Sequence, residues 1–217
     1  EAELAANGIT TAVLAQFVSW EGGMRGLDFA DKVFRAIRNT SDQVVTDLWA
    51  QLRFETHLLD LYDDLPDRLR DWDVSYVVFN DHLPHDRLEA GKTPRRLMGQ
   101  ALKAGRSPEK HHAYMLDLHS RRAAVPDALD DLCARLTAQG VRMGSHDDTT
   151  AEDRAAWRAR GVYLAEFPET LEAAEAADGA GDAVLMGSPN VVRGGSHNGN
   201  LSAVDLIAMG YCDALAS

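Results

Sequence analysis

Three segments of this chain place ionisable and hydrogen-bonding residues just past a short apolar run. Gly140-Val-Arg-Met-Gly-Ser-His-Asp-Asp-Thr-Thr150 delivers His146, Asp147 and Asp148. Gly161-Val-Tyr-Leu-Ala-Glu-Phe-Pro-Glu-Thr170 delivers Glu166, with Pro168 closing the strand signal. Ala183-Val-Leu-Met186 runs into a loop from Gly187 to Asn200 that carries Asn190, Arg193, Ser196, His197, Asn198 and Asn200 among Gly194, Gly195 and Gly199. Imidazoles beside carboxylates form the donor set of a Zn²⁺, Mn²⁺ or similar site. A glycine-rich loop with one fixed cation and several amides suits an anionic ligand. An ordinary polar surface turn is the bland alternative, but it needs no apolar strand feeding so many polar functions.

Two earlier segments follow the same design. Leu52-Arg-Phe-Glu55 reads as a strand end and is followed by Thr56 and His57. Val74-Ser-Tyr-Val-Val-Phe79 reads as a buried strand and delivers Asn80, Asp81 and His82. The eight histidines thus divide into two sets. His57, His82, His146 and His197 follow strand signals. His85, His111, His112 and His119 lie between residues 83 and 139, where a surface or hydrogen-bonded role is the simpler reading. His112 and His119 share a helix face, but nothing else in the sequence supports a helical metal clip.

The elements that must position these residues alternate. Counting Ile9-Thr-Thr-Ala-Val-Leu14, six strand signals appear, with helical patterns at 27–38, 66–72, 151–160, 171–178 and 201–209. In parallel α/β folds, sites form at strand C-termini. Residues 83–139 are an excursion. Ser107 and Pro108 form a helix start, and the helix runs to about Arg121. A second helix runs from Pro126 to Ala138. The stretch 86–105 is basic and broken by Gly91, Pro94 and Gly105, which predicts a mobile segment. The excursion is expected to be a lid or an oligomer contact, leaving a homo-oligomer possible. Arg95-Arg96 and Arg121-Arg122 read as solvated helix faces, or as a pair reaching a phosphate tail.

With 217 residues and 45% apolar content the chain can bury one α/β core. Its net charge of −12 argues against nonspecific nucleic-acid binding. No run is long enough to be a membrane span. Two cysteines, in separate helical patterns, suit packing in a reducing compartment, so a cytoplasmic location is expected.

Ser145-His-Asp-Asp-Thr149, Ala165-Glu-Phe-Pro-Glu-Thr170, Glu172-Ala-Ala-Glu-Ala176 and Leu185-Met-Gly-Ser-Pro-Asn-Val-Val-Arg-Gly-Gly-Ser-His-Asn-Gly-Asn200 resemble signatures of the PhnM-type α-D-ribose 1-methylphosphonate 5-triphosphate diphosphatases. This family lies within the amidohydrolase superfamily. Gly8-Ile-Thr-Thr11, Leu52-Arg-Phe-Glu-Thr-His57 and Asn80-Asp-His82 extend the likeness over essentially the whole chain. The resemblance implies a TIM-type (β/α) barrel and one or two divalent metals. It implies a hydrolase of the carbon–phosphorus lyase pathway that removes pyrophosphate from a ribose 5-triphosphate bearing a 1-methylphosphonate. On this likeness Glu55, His57, His146 and Glu166 are the expected metal ligands. Asp147, Asp148 and His197 are expected to assist catalysis, an Asp by orienting a ligand histidine. Asn190, Arg193, Ser196, His197 and Asn200 are expected to hold phosphates or phosphonate. Amidohydrolases place a His-x-His pair after their first strand and an Asp after their eighth. No histidine precedes His57 here, so the chain is expected to match strands two to seven, an incomplete barrel. A conventional amidohydrolase acting on a cyclic amide or N-acyl group, and an inactive truncated fragment, are the alternatives.

Overall fold

In the computed structural model, residues 1–196 and 199–217 are described. The chain divides into two compact units. The first holds residues 1–77 and 81–141, the second 78–80 and 142–217.

The first unit begins with α1 (Ala2–Ala6), β1 (Thr11–Val18), α2 (Leu27–Thr40), β2 (Asp47–Glu55), α3 (Leu65–Trp72) and β3 (Tyr76–Asn80), whose last three residues fall in the second unit. β1 and β2 pair in parallel, from Thr11 opposite Asp47 to Val18 opposite Phe54. β1 begins two residues later and ends four later than Ile9–Leu14, because Phe17 and Val18 still pair with β2. Between β2 and β3, α3 starts with Pro66 inside its first turn, where a missing N–H is harmless. It buries Leu65, Leu69 and Trp72. The Trp72 ring packs on Phe34 of α2 at 5.0 Å, and its Nε1 donates to Asp31.

The excursion is helical: α4 (His85–Glu89), α5 (Leu97–Lys103), α6 (Pro108–Ser120) and α7 (Val125–Ala138). The Ser107 cap is present, accepting from Lys110 N. The stretch 86–105, expected to be mobile, holds most of α4 and all of α5. Leu88, Leu97 and Ala101 supply the buried anchors that hold these short helices. α5 is also tied to the turn after β1. Gln100 donates to Glu21, Arg106 donates to the Trp20 carbonyl, and a Cβ at Gly23 would sit 2.3 Å from the Lys103 carbonyl oxygen.

The second unit continues with β4 (Arg142–His146), α8 (Ala151–Ala159), β5 (Leu164–Glu166), α9 (Leu171–Gly179), β6 (Ala183–Gly187), α10 (Ser188–Arg193), α11 (Ala203–Met209) and β7 (Ala214–Ala216). Its strands β4 to β7 pair in parallel, each with the next. Ala165, Ala174, Ala177, Val184, Met186, Ala203 and Leu206 form its core. The small alanines let α9 lie close against the strands, and Phe79 stacks on Trp157 at 5.5 Å. Thr150 begins α8 with a reciprocal capping box to Asp153. β7 is the seventh strand among the described residues, and the loop after β6 differs from the sequence reading by opening with a helix, α10. Pro189 in the first turn and Gly194 in the left-handed region bound that helix, and Val191 packs on the core.

Strand order follows chain order, β1 to β7, with helices between successive strands. The fold is therefore α/β, the strand succession of a TIM-type (β/α) barrel, incomplete at seven strands. No helix among the described residues is long and apolar enough to cross a membrane.

Candidate functional site

Glu55 ends β2 and is 1% exposed. Water cannot solvate it there, so its oxygens need donors. Trp20 Nε1 and the His82 backbone N–H donate to Oε2, while His82 Nδ1 meets Oε1 at 2.5 Å. A carboxylate holding Nδ1–H leaves Nε2 as the lone-pair nitrogen, the form in which a histidine ligates metal. Glu55, expected as a ligand, thus also orients His82.

His57, two residues past β2, is turned to other partners. Its Nε2 lies 3.1 Å from Asp81 Oδ2 and 3.0 Å from His85 Nε2. His85 Nε2 lies 3.1 Å from the same Asp81 oxygen, and His85 Nδ1 lies 2.8 Å from His119 Nδ1. Burial alone would raise the Asp81 carboxyl. Hydrogen bonds and charge from His57 and His85 outweigh it and hold the group well below the usual carboxylate range. Two imidazole nitrogens and a carboxylate oxygen converging at this spacing are chemically suited to a divalent ion. The sequence reading missed His85 and set His119 aside. The available signal was the Asp81–His85 spacing of four, which puts both at one turn of chain entering α4.

In the second unit, register brings two expected ligands together: His146 of β4 is the direct partner of Glu166 of β5. Their Nε2 and Oε2 atoms are 3.7 Å apart. Asp147 Oδ1 stands 2.8 Å from His146 Nδ1, and Phe167 meets the imidazole edge-on at 5.3 Å. Asp147 and Phe167, the residues directly after His146 and Glu166, both have positive φ, 61° and 57°. Aspartate tolerates that region and phenylalanine does so only under strain. Their amides continue the parallel ladder, donating to the Glu166 and Leu185 carbonyls. The chain therefore turns sharply at the strand tips while His146 and Glu166 stay in the sheet.

Asp148 goes elsewhere. It is 5% exposed and accepts from Ser145 Oγ and Arg154 Nη1, at 2.5 and 2.9 Å. Arg154, 1% exposed, also donates to Ser145 and, at 2.7 Å, to Asp182, which Arg158 joins. Asp148 thus belongs to a buried ion network under β4.

The residues after β6 divide similarly. Asn190 spans the loop, donating to the Leu201 carbonyl and accepting from Ala203 N, so it fixes the start of α11. Asn200 donates to Glu169 at 2.7 Å. Arg193 is exposed in the last turn of α10, and Ser196 is half-buried. His197 lies outside the described residues.

No family model matches the chain. A curated relative does: the alpha-D-ribose 1-methylphosphonate 5-triphosphate diphosphatase of Escherichia coli (strain K12) is 33% identical over 226 aligned residues. The chain spans 58% of the length of that relative. Over its entire length this chain is similar to part of that diphosphatase, and the resemblance carried by its strand-end motifs is borne out.

Proposed function

We propose that the protein is a metal-dependent hydrolase of phosphonate breakdown, converting α-D-ribose 1-methylphosphonate 5-triphosphate to the 5-phosphate and pyrophosphate. The observation that supports this reading is the similarity of the whole chain to the diphosphatase, with the strand-end motifs inside the matched span. A bound divalent ion would lower the pKa of water so that hydroxide is available near neutral pH.

The chain's own residues supply orientation and charge. In the first unit Glu55 holds Nδ1 of His82 and so presents Nε2. In the second unit Asp147 stands at Nδ1 of His146 and leaves Nε2 toward Glu166. Glu55, His57, His146 and Glu166 remain proposed ligands, and His82, whose Nδ1 Glu55 holds, joins them. Arg193, a fixed cation at the end of α10, is proposed to bind phosphate oxygens and stabilise charge on departing pyrophosphate. Ser196, His197 and Asn200 follow it in the same loop, and Asn190 acts by fixing that loop's end. The same reading expects the enzyme in the cytoplasm, a reducing compartment that suits a chain whose cysteines are Cys133 and Cys212.

The test is product analysis with the purified protein and the ribose triphosphate. Pyrophosphate and the 5-phosphate in equal amounts are expected. Stepwise release of orthophosphate, or cleavage of an amide in place of the triphosphate, overturns the reading.

A further inference from the structure

The imidazole cluster of the first unit joins His57, already a proposed ligand, to Asp81, His85 and His119, which the proposed reaction does not use. His57 follows β2, Asp81 follows β3, His85 is the first residue of α4, and His119 comes from α6. The Nε2 atoms of His57 and His85 and Oδ2 of Asp81 form a triangle with edges of 3.0, 3.1 and 3.1 Å. Ligand atoms about 2.1 Å from a tetrahedral ion stand about 3.4 Å apart. Opening the triangle by a few tenths of an ångström would therefore admit one. The side chains are pre-placed on separate elements, with His57 only 5% exposed and His85 27%.

The outer contacts carry a second message. Arg122 Nη1 lies 3.1 Å from His119 Nε2, and arginine can only donate. His119 Nε2 is then the acceptor, and the His119 proton sits on Nδ1. That proton points to His85 Nδ1 at 2.8 Å, so His85 accepts there and carries its own proton on Nε2. Nε2 of His85 is the atom that faces Asp81 and His57. A metal ion needs its lone pair.

We propose that His57, Asp81 and His85 bind one divalent transition-metal ion, and that Arg122, acting through His119, opposes its entry. When the ion binds, the His85 proton moves to Nδ1 and the His119 proton to Nε2, while His57 ligates through Nε2 with its proton on Nδ1. No proton is lost. Nε2–H of His119 then faces a guanidinium that is also a donor, so the Arg122 contact breaks. Arg122 has a ready alternative in Glu89, whose Oε1 is 3.3 Å from Nη2. The donor set of two imidazoles and one carboxylate suits Zn²⁺, Co²⁺ or Mn²⁺. This inference shares His57 with the proposed function but rests on the cluster's geometry, and its test through His85 and Asp81 reads metal content without substrate.

The experiment uses the purified full chain, stripped of metal and titrated with Co²⁺ and Zn²⁺, and requires no substrate. Ion content is read by elemental analysis and ligation by visible cobalt absorption. His85→Ala and Asp81→Asn should each lose one equivalent that His146→Ala retains. Asp81 is part-exposed, so Asp81→Asn serves if His85→Ala does not fold. Arg122→Gln should keep the equivalent and bind it about tenfold more tightly, the scale of a change next to a ligand. Unchanged ion content in both His85→Ala and Asp81→Asn overturns the site. Loss of that equivalent only in His146→Ala overturns it as well. Equal or weaker affinity in Arg122→Gln overturns the opposing role of Arg122.

Discussion

Arg154 and Arg193 carry the same charge into opposite settings, and their substitutions should behave oppositely. Arg154 is buried between Asp148 and Asp182. Replacing it with methionine leaves two buried carboxylates short of their cation, a change that typically costs about 3–5 kcal/mol. The urea midpoint of Arg154→Met should fall accordingly, and an unchanged midpoint would remove the network from the list of stabilising features. Arg193 is exposed, so Arg193→Ala should leave the midpoint nearly untouched. If it binds the substrate's phosphates, a lost charge-assisted contact worth about 1.5–3 kcal/mol should cut kcat/KM by roughly 10- to 150-fold. Lysine should restore only part, because it lacks the planar fork. Wild-type kcat/KM in Arg193→Ala would take the residue out of the site. These two arginines also show where sequence reading stops. The chemistry of Ser145, His146, Asp147 and Asp148 was legible from their types, but one aspartate of an adjacent pair faces His146 and the other faces Arg154. That division depends on an arginine and on Asp182, neither of which stands out by type.

At the scale of the element, α8 depends on its start. Thr150 and Asp153 cap each other's backbone groups, and Asp153 also takes bonds from Thr149. Burial raises the Asp153 carboxyl, but the bonds from Thr150 and Thr149 prevail and lower it. A carboxyl lowered by folding stabilises above its unfolded pKa of about 3.9 and loses that contribution as pH falls through the folded value. Wild-type protein should therefore lose more stability between pH 6 and pH 3 than Asp153→Asn does, as read by thermal melting. Parallel losses would show that the cap does not titrate. Thr150→Ala should cost about 1 kcal/mol at neutral pH. The capped helices were legible, since Ser107 with Pro108 begins α6 as expected. α10 was not, because six residues ending in glycines read as loop until Val191 finds the core.

At the scale of the molecule, the excursion is the part whose behaviour matters most. The basic, glycine-punctuated stretch 86–105 predicts mobility from sequence. Yet Gln100, Arg106 and the close approach of Gly23 to the Lys103 carbonyl tie α5 to the turn after β1. Amides of residues 97–106 should accordingly exchange slowly in protein without ligand, with faster exchange confined to residues 90–95. Fast exchange throughout 97–106 would mean that those ties open readily and would favour a closing lid. Gly23 gives an independent check. Its φ is 58°, so Gly23→Ala combines backbone strain with a clash and should lower the melting temperature and speed exchange in α5.

The strand–helix alternation, the helix starts and the identity of the strand-end motifs were set by the sequence alone. Each is a local matter of side-chain period, capping chemistry or contiguous residue type. Which strand-end groups are engaged, and by what, was decided only in three dimensions. Trp20 reaches Glu55 across 35 residues of chain, Arg154 reaches Asp182 across 28, and His119 reaches His85 across 34. A buried polar atom must find a partner wherever the fold supplies one. Spacing along the chain encodes the backbone's repeat, whereas the choice of partner depends on atoms that only packing brings within about 3 Å of each other.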